Sequence, residues 1–302
     1  MDGIINVYKE KGYTSHDVVA IVRKLCGRIK CGHTGTLDPD AEGVLPLCLG
    51  KATKLSSYVM DGYKRYEARL KLGITTATQD ASGEILEIKP VSAGLEDIKK
   101  AAEGFLGEYM QTPPMYSAIK VKGKKLYELA RKGEEIERKK RRVFIYSIDV
   151  SDYNYPDECL LDVKCSKGTY IRTLCADIGE VLGCGGHMAS LLRTETSGFL
   201  LKESIRLDEL KILAEEGRIS EVLIPMEKIL EGYKKVCVRP EAEKILLNGG
   251  TVYEDFFETE DEPETGEEIT VYYGGNKLVG IYRFGFDSEK GKKFVIPVKM
   301  LI

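Results

Sequence analysis

Hydrophobic and charged residues alternate over residues 63–72, and this pattern predicts a half-buried β-strand. The apolar side chains fall on one face together with Tyr66, and the charged side chains fall on the other. We therefore expect Tyr66 to point into the core. Apolar runs predict further strands over residues 4–8, 142–150, 160–165 and 188–194.

Other segments carry apolar residues at helical spacing. The first predicted helix follows Thr14 or Ser15, either of which can cap its amino terminus. In the helix that follows residues 166–168, Arg172 falls in the first turn, beside rather than within the apolar face. Two more helices are predicted over residues 95–105 and 207–215. Because strands and helices follow one another without regular alternation, the order predicts an α+β fold rather than a doubly wound sheet.

Beyond Gly232 the pattern changes to short β-rich segments around one helix, residues 241–247, which Gly249 stops. This pattern predicts a small β-barrel, so we expect two domains, residues 1–232 and 233–302. The predicted strands of the second domain cover residues 235–238, 269–273, 278–284 and 294–298.

The formal net charge of −3 is small, but charge is distributed unevenly along the 302 residues. Residues 120–142 hold 11 Lys or Arg against 4 Glu, whereas residues 254–268 hold 9 acidic residues and no basic one. A solvated surface is the usual interpretation of such runs, and for the acidic run we expect a hairpin loop. Tyr116 and Tyr127 accompany the basic run, and aromatic side chains among lysines suit base stacking and phosphate contact.

The eight cysteines have no paired CxxC spacing, so we expect reduced packing residues. Cys26, Cys31 and His33 lack a fourth ligand at zinc-site spacing, and no metal is predicted. A Rossmann fingerprint and a P-loop motif are also absent from the sequence. With no signal-peptide pattern and no apolar run of about 18 residues, the sequence predicts a soluble cytoplasmic protein.

The most distinctive stretch is CGHTGTLDPDAEGVLPLCL, residues 31–49. Gly32, Gly35 and Gly43 permit tight backbone geometry and Pro39 restricts it, which predicts a stiff loop holding Asp38 beside His33. From spacing alone, the commoner interpretation is an Asp-Pro turn in which Asp38 bonds its own backbone.

Within this stretch, GHTGTLDPDAEGVLPLCLGKATK resembles the signature of the TruB family of tRNA pseudouridine synthases. Four more segments resemble the family in the expected order: NVYKEKGYTSHDVV, KRYEARLKLGITTATQDASGEI, PPMYSAIKVKGKKLYELARKG and CSKGTYIRTLCADIGEVLGCGGHMASLLRTETSGF. The resemblance extends to about residue 230. It implies a catalytic domain with a mixed, largely antiparallel sheet flanked by helices, a basic thumb-like insertion at about residues 115–142, and a PUA-like carboxy-terminal barrel.

The resemblance also implies roles for individual residues. It implies that Asp38 is the nucleophile, that Tyr66 packs on the flipped base, and that Arg172 pairs with Asp38. Such an ion pair would keep Asp38 deprotonated. The positions that match substrate-binding residues are Lys9, His33, Asp80, Tyr116, Lys120 and Tyr170.

The implied reaction isomerises uridine 55 in the T loop of tRNA to pseudouridine. It needs no cofactor or metal, and we expect a monomer that acts without a guide RNA. Two alternatives remain at this point, a tRNA-folding chaperone and a carboxylate-dependent nucleoside or glycoside hydrolase. The hydrolase usually needs two separated carboxylates, whereas Asp38 and Asp40 lie only two residues apart.

Overall fold

The computed structural model describes residues 1–117, 119–121, 123–130, 132–134, 136–154, 157–274 and 277–302, without the side chains of Lys120, Lys125, Tyr153 and Asn154. Lys122, Arg131 and the side chain of Lys120, all in the basic run, therefore lie outside the described part. None of the described helices is long and apolar enough to cross a bilayer.

The first two hundred residues supply a large sheet and two small hairpins. The strands are β1 Gly3–Lys9, β2 Cys31–His33, β3 Glu42–Leu49, β4 Lys64–Leu72, β5 Ile74–Thr76, β6 Ile85–Ile88, β7 Gly107–Gln111, β8 Lys120–Val121, β9 Lys124–Lys125, β10 Arg141–Asn154, β11 Glu158–Cys165, β12 Gly186–Thr196 and β13 Phe199–Leu200. The helices are α1 Ser15–Leu25, α2 Ser56–Asp61, α3 Leu95–Glu103, α4 Leu126–Ala130, α5 Ile171–Val181 and α6 Leu207–Glu215.

The large sheet runs in the order β1-β3-β12-β4-β11-β10-β7, with β2 beside β3 and β13 beside β12. Among its described pairs, only β12 with β3 is parallel. The prediction of a mixed, largely antiparallel sheet in an α+β fold is therefore confirmed. β5 with β6 and β8 with β9 form separate two-stranded hairpins.

Local patterns explain several elements. β4 alternates between buried and solvent-facing positions as predicted, and Tyr66 lies on the buried face. Thr14 caps α1 through a capping box with Asp17, which satisfies backbone donors at the helix start. The sequence predicts no strand over residues 42–49, where the structure has β3. It is a central strand with both faces buried, so it shows no alternation that could reveal it.

Three apolar clusters pack against the sheet, and two of them are the more extensive. The larger one lies between β4, β10, β11 and the helices α3 and α5, and it includes Tyr66, Leu37 and Ala41. The second joins β1 and β3 to α1 and α6. The loop between β2 and β3 contributes to the first cluster, which places the candidate site directly above a close-packed core.

The last seventy residues form a second sheet around its own apolar cluster. Its strands are β14 Lys235–Val238, β15 Val252–Tyr253, β16 Phe257–Thr259, β17 Glu268–Tyr273, β18 Lys277–Asp287 and β19 Lys292–Met300, in the order β15-β19-β18-β17-β14-β16, with α7 Glu243–Leu247. The sheet is barrel-like, and the predicted small β-barrel is confirmed.

The acidic run at residues 254–268 is not a simple solvated hairpin loop. It contains a 3-10 turn at Glu254–Phe256 and the strand β16, and it ends in β17. Five of its carboxylates pair with basic side chains of the same small domain; they are Asp255, Glu258, Glu262, Glu267 and Glu268. The run therefore neutralises local positive charge.

The two parts of the chain share an apolar cluster made of Leu55, Leu230, Leu278, Ile281 and Leu301. The Tyr58 hydroxyl also donates to Glu268 across this contact, at 3.0 Å. The division into residues 1–232 and 233–302 stays a proposal about folding units, and any test of it must allow for this shared cluster.

Candidate active site

The loop that carries Asp38 connects β2 to β3 and is fixed by contacts from other elements. The Leu37 amide donates to the Ser15 hydroxyl at 2.9 Å, and the Thr34 hydroxyl donates to the Pro46 carbonyl at 3.0 Å. The Asp38 carbonyl accepts from the Ala41 amide at 3.1 Å, so the predicted turn is present. No described backbone group bonds the Asp38 side chain, which leaves its carboxylate for longer-range contacts.

That carboxylate pairs with Arg172, as the resemblance implied. Arg172 Nη2 lies 3.0 Å from Asp38 Oδ2, and Nη1 lies 3.2 Å from Asp80 Oδ2. The guanidinium also donates to the carbonyls of Thr78 and Tyr116, at 3.1 and 3.0 Å. Only 6% of Arg172 is exposed, so it is not a solvated helix residue. One buried cation thus joins three segments: the Asp38 loop, residues 78–80 and the backbone of Tyr116.

The electrostatic balance at Asp38 differs from the sequence-based expectation. Burial raises the pKa of the Asp38 carboxyl above its ordinary value; the Arg172 charge opposes this shift, and the nearby Asp80 adds to it. The ion pair therefore offsets part of the desolvation of Asp38 and does not by itself set the pKa.

Asp38 and Arg172 lie in an open cleft of about 770 Å³. This volume falls in the usual range for small-molecule sites. The cleft is also lined by the predicted substrate-binding residues Asp80 and Tyr116, by Tyr127 of the basic run, and by Leu191 of β12. The cleft therefore combines polar groups with aromatic and aliphatic side chains suited to a nucleobase.

Tyr66 lies beneath this cleft and packs with Leu37 and Ala41 in the large apolar cluster. Its exposed fraction is 9%, and it is not among the residues that line the cleft. Burial raises the pKa of the Tyr66 hydroxyl. Stacking on a flipped base, the predicted role of Tyr66, requires the base to reach this depth.

Tyr170 is half-buried and precedes α5, where its backbone is held by Gln111. The Tyr170 amide donates to Gln111 Oε1 at 2.8 Å, and Gln111 Nε2 donates to the Tyr170 carbonyl at 2.9 Å. This bidentate contact fixes the start of the helix that presents Arg172. The sequence carries no signal for Gln111, since it is one polar residue in the edge strand β7.

Lys9 does not fit a substrate-contacting role. Its side chain has no accessible surface, and its Nζ donates to the carbonyls of Ala41, Pro39 and Glu10 at 2.5, 3.0 and 3.2 Å. Two of these carbonyls belong to the loop of Asp38. Lys9 therefore supports that loop from inside the protein.

His33 lies in β2, half-buried, and its Nδ1 accepts from the Gly35 amide at 3.3 Å. The exposed His16 meets it edge to face, with ring centroids 5.2 Å apart. Burial lowers the pKa of His33, and the charges of His16 and Arg193 lower it further. A neutral imidazole is thus favoured at His33, and His16 is a neighbour that the sequence interpretation missed.

Asp80 combines a structural and a site contact. It accepts from the hydroxyls of Thr78 and Ser82, each at 2.6 Å, and from the Ser82 amide at 3.0 Å. Its other oxygen pairs with Arg172. Asp80 therefore stabilises a turn through its own side chain, and it also lies at the candidate site through its contact with Arg172.

Arg193 is a further residue that the sequence interpretation missed. It is fully buried in β12, and its guanidinium donates to backbone carbonyls at both ends of the Asp38 loop. The available signal was an arginine within the otherwise apolar or uncharged run MASLLRT. Charged residues in buried strands are uncommon and usually have a specific partner or function.

Comparison with known proteins identifies close relatives along the whole chain. Residues 23–171 match the model described as "TruB family pseudouridylate synthase (N terminal domain)", and residues 172–231 match "tRNA pseudouridylate synthase B C-terminal domain". A protein of Alkaliphilus oremlandii named tRNA pseudouridine synthase B is 51% identical, with 100% of this chain and 99% of that protein covered. The protein of the same name from Clostridium kluyveri is 47% identical, over 93% of this chain and 95% of its own length.

Two solved structures share the fold. A chain of a Cbf5-Nop10-Gar1 complex superposes with a TM-score of 0.74 at 28% identity, covering 99% of this chain and 85% of that chain. A chain of an H/ACA RNP bound to a substrate RNA containing 2′-deoxyuridine gives 0.73 at 25% identity, with the same coverage.

Proposed function

We propose, from the premise that this chain belongs to the TruB family of pseudouridylate synthases, that it isomerises uridine 55 in the T loop of tRNA to pseudouridine. The observation that carries the proposal is the buried Arg172, which presents Asp38 in an open cleft sized for a nucleotide. The relatives named tRNA pseudouridine synthase B match this chain over nearly their whole length.

The reaction breaks the bond between uracil N1 and ribose C1′, turns the base, and forms a bond between C5 and C1′. The proton on C5 leaves and N1 takes one up, so atoms balance without oxidation or reduction. Such a reaction requires the base to leave the RNA stack and enter a pocket. In our proposal Asp38 is the nucleophile, Arg172 holds its ionised carboxylate in place, and Tyr66 packs under the base.

The remaining contacts are assigned by position. Asp80, Tyr116 and Tyr170 surround the cleft or its helix and are proposed to contact the nucleotide, and His33 the RNA loop around it. Lys9 is reassigned to support of the Asp38 loop. The basic segment at about residues 115–142 is proposed to close over the T arm by phosphate contact, with no guide RNA, metal or cofactor, and with the enzyme acting as a monomer. The tRNA substrate makes the cytoplasm the expected site of action.

A hydrolytic use of the same cleft would need a second carboxylate free to act as an acid or a base. Asp80 shares Arg172 with Asp38, but its carboxylate is engaged by Arg172, Thr78 and Ser82. These contacts argue against Asp80 as the second carboxylate of a hydrolase.

The test uses an unmodified tRNA transcript, a matched transcript with cytidine at position 55, and the full chain. We expect pseudouridine at position 55 of the first transcript, no product from the second, and no free uracil from either. Release of uracil would replace our proposal with hydrolysis. Tight binding without any base change would indicate an RNA-binding or chaperone function.

A further inference from the structure

Arg193 is among the largest fully buried side chains of the protein, with a relative exposure of 1%. Within the described part of the chain, no carboxylate lies within 4.0 Å of its guanidinium. Burying a cation without a carboxylate partner is unfavourable unless hydrogen bonds compensate for its lost hydration. The contacts that replace water at Arg193 therefore indicate what the residue does.

Two of those contacts are the ends of the Asp38 loop. Arg193 Nε donates to the Val44 carbonyl at 2.7 Å, and Nη2 donates to the Gly35 carbonyl at 3.2 Å. Gly35 precedes Asp38, and Val44 follows it at the start of β3. One rigid, planar guanidinium thus fixes the separation of the two loop ends, which a flexible lysine does less well.

The backbone of Arg193 is equally close to the loop. Residue 193 pairs with Gly43 where β12 runs parallel to β3. Gly43 has φ +105°, and a Cβ there would lie 2.2 Å from the Arg193 carbonyl oxygen. Glycine is therefore required at residue 43, where β3 lies against β12. This close approach fixes the position of the Arg193 backbone relative to the loop.

The third contact is Tyr66. Arg193 and Tyr66 are direct partners in the antiparallel pairing of β12 with β4, so their side chains project from the same face of the sheet. Burial raises the pKa of the Tyr66 hydroxyl, and the Arg193 charge acts against that shift. The Arg193 charge thus favours the ionised form of the Tyr66 hydroxyl, against the effect of burial.

We propose that Arg193 is a positioning residue for the proposed isomerase reaction: its buried cation fixes both ends of the loop carrying Asp38 and orients the Tyr66 hydroxyl beneath the base. This inference rests on the proposed function. Arg193 itself does not line the cleft. It acts through Asp38 and Tyr66, whose relative placement determines whether the flipped uridine meets both.

The test compares three substitutions in the full chain. Arg193→Met removes charge and donors, Arg193→Gln keeps donors without charge, and Arg193→Lys keeps charge with a simpler donor. Arg65→Met is the matched control, because Arg65 is an exposed arginine of the same sheet that pairs with Asp162. Each variant is measured for single-turnover rate at saturating enzyme, for tRNA Kd, and for thermal unfolding.

We expect Arg193→Met to lower the single-turnover rate about 100-fold, because misplacement of reacting groups by about 1 Å has effects of this size. The tRNA Kd should change less than about threefold, since Arg193 is buried and does not line the cleft. Arg193→Lys should recover more of the rate than Arg193→Gln, and Arg65→Met should match the parent protein.

The inference is overturned if a folded variant without the cation keeps a rate within about threefold of the parent. It is also overturned if tRNA affinity falls as much as the rate, or if the rate falls only in proportion to the unfolded fraction. Unfolding of all three variants at the assay temperature would make Arg193 a stability residue only. If the parent protein itself forms no pseudouridine, the proposed function fails instead.

Discussion

Charged side chains are placed differently in residues 1–232, here called the catalytic part, and in residues 233–302, the small domain. Among the described residues, four lysine and arginine side chains are buried, and all four belong to the catalytic part: Lys9, Lys64, Arg172 and Arg193. In the small domain, Thr270 is the buried polar residue, and the charged side chains that pair do so at the surface. The two regions come from one chain, and each has its own apolar core.

The difference has a physical reason. A buried cation makes strong and stiff contacts because water does not screen them, but its desolvation is unfavourable. Such residues are retained where geometry matters more than stability. Exposed pairs such as Arg239 with Glu258 contribute little and tolerate replacement. Four substitutions test this comparison, beginning with the largest expected effect.

Asp38→Asn should abolish the function of the catalytic part while preserving its fold. The amide keeps the size and turn-forming ability of the side chain but is neither charged nor nucleophilic. We expect single-turnover pseudouridine formation to fall at least about 10³-fold, with melting temperature and tRNA Kd near those of the parent. The matched control is Asp40→Asn, two residues along the same loop, which should stay within about threefold. Substantial turnover by folded Asp38→Asn would contradict the assignment of the nucleophile.

Arg172→Met should reduce the rate and change its pH dependence. Burial already raises the pKa of Asp38 and Arg172 opposes that rise, so its removal should raise the pKa further. Since the ionised carboxylate is the reactive form, the acid limb of the rate should move to higher pH. The rate at neutral pH should fall by about 100-fold from lost orientation and ionisation.

Single-turnover rates across pH check this prediction. Lys167→Met is the control, because Lys167 makes an exposed pair with Asp61 just before the same helix. An acid limb at the same pH in Arg172→Met and in the parent would show that Arg172 does not act on Asp38.

Lys9→Met should lower the free energy of unfolding by about 1–3 kcal/mol, because it leaves buried carbonyls without a donor. The pH dependence has a defined sign. Burial lowers the pKa of Lys9 to about 8, whereas an unfolded lysine has a pKa of about 10.4. At this residue the unfolded chain thus binds more protons between these values, so the contribution of Lys9 to stability becomes more favourable as pH rises across this window.

Urea unfolding at pH 7 and at pH 9.5 measures both effects. Lys64, whose pKa burial lowers to about 8, and thiols such as Cys31, whose pKa burial raises to about 12, also titrate near this window, so the variant is compared with the parent at each pH. The stability difference between the parent and Lys9→Met should be larger at pH 9.5 than at pH 7. Lys24→Met, at the exposed end of α1, should change stability by less than about 0.5 kcal/mol at either pH. An equal difference between the parent and Lys9→Met at both pH values would show that the pKa of Lys9 is not lowered in the folded protein.

Arg239→Ala should have the smallest effect. Its pair with Glu258 is exposed at the surface of the small domain, so we expect a loss of about 0–1 kcal/mol in unfolding free energy. The chemical rate on tRNA should not change. A loss above about 2 kcal/mol, measured by the same urea titration, would mean that the small domain also depends on its charges.

The sequence by itself determined those features in which a residue's neighbours along the chain reveal its environment. The alternation of β4 placed Tyr66 inside, the capping residue Thr14 marked the start of α1, and helical spacing located α5. The motif around Asp38 identified the family. Each of these depends on periodicity or on local backbone geometry, which a short stretch of sequence records directly.

The tertiary structure alone decided what meets the candidate site. Helical spacing put Arg172 beside the apolar face, yet the packing of α5 against two loops buried it between Asp38 and Asp80. Lys9 was an ordinary basic residue in the sequence, and Arg193 differed only as an arginine within a largely apolar run; in the folded protein both support the Asp38 loop. Their partners are backbone carbonyls, which every residue has. The residue pattern therefore does not predict which carbonyl groups such a side chain will bind in the folded protein.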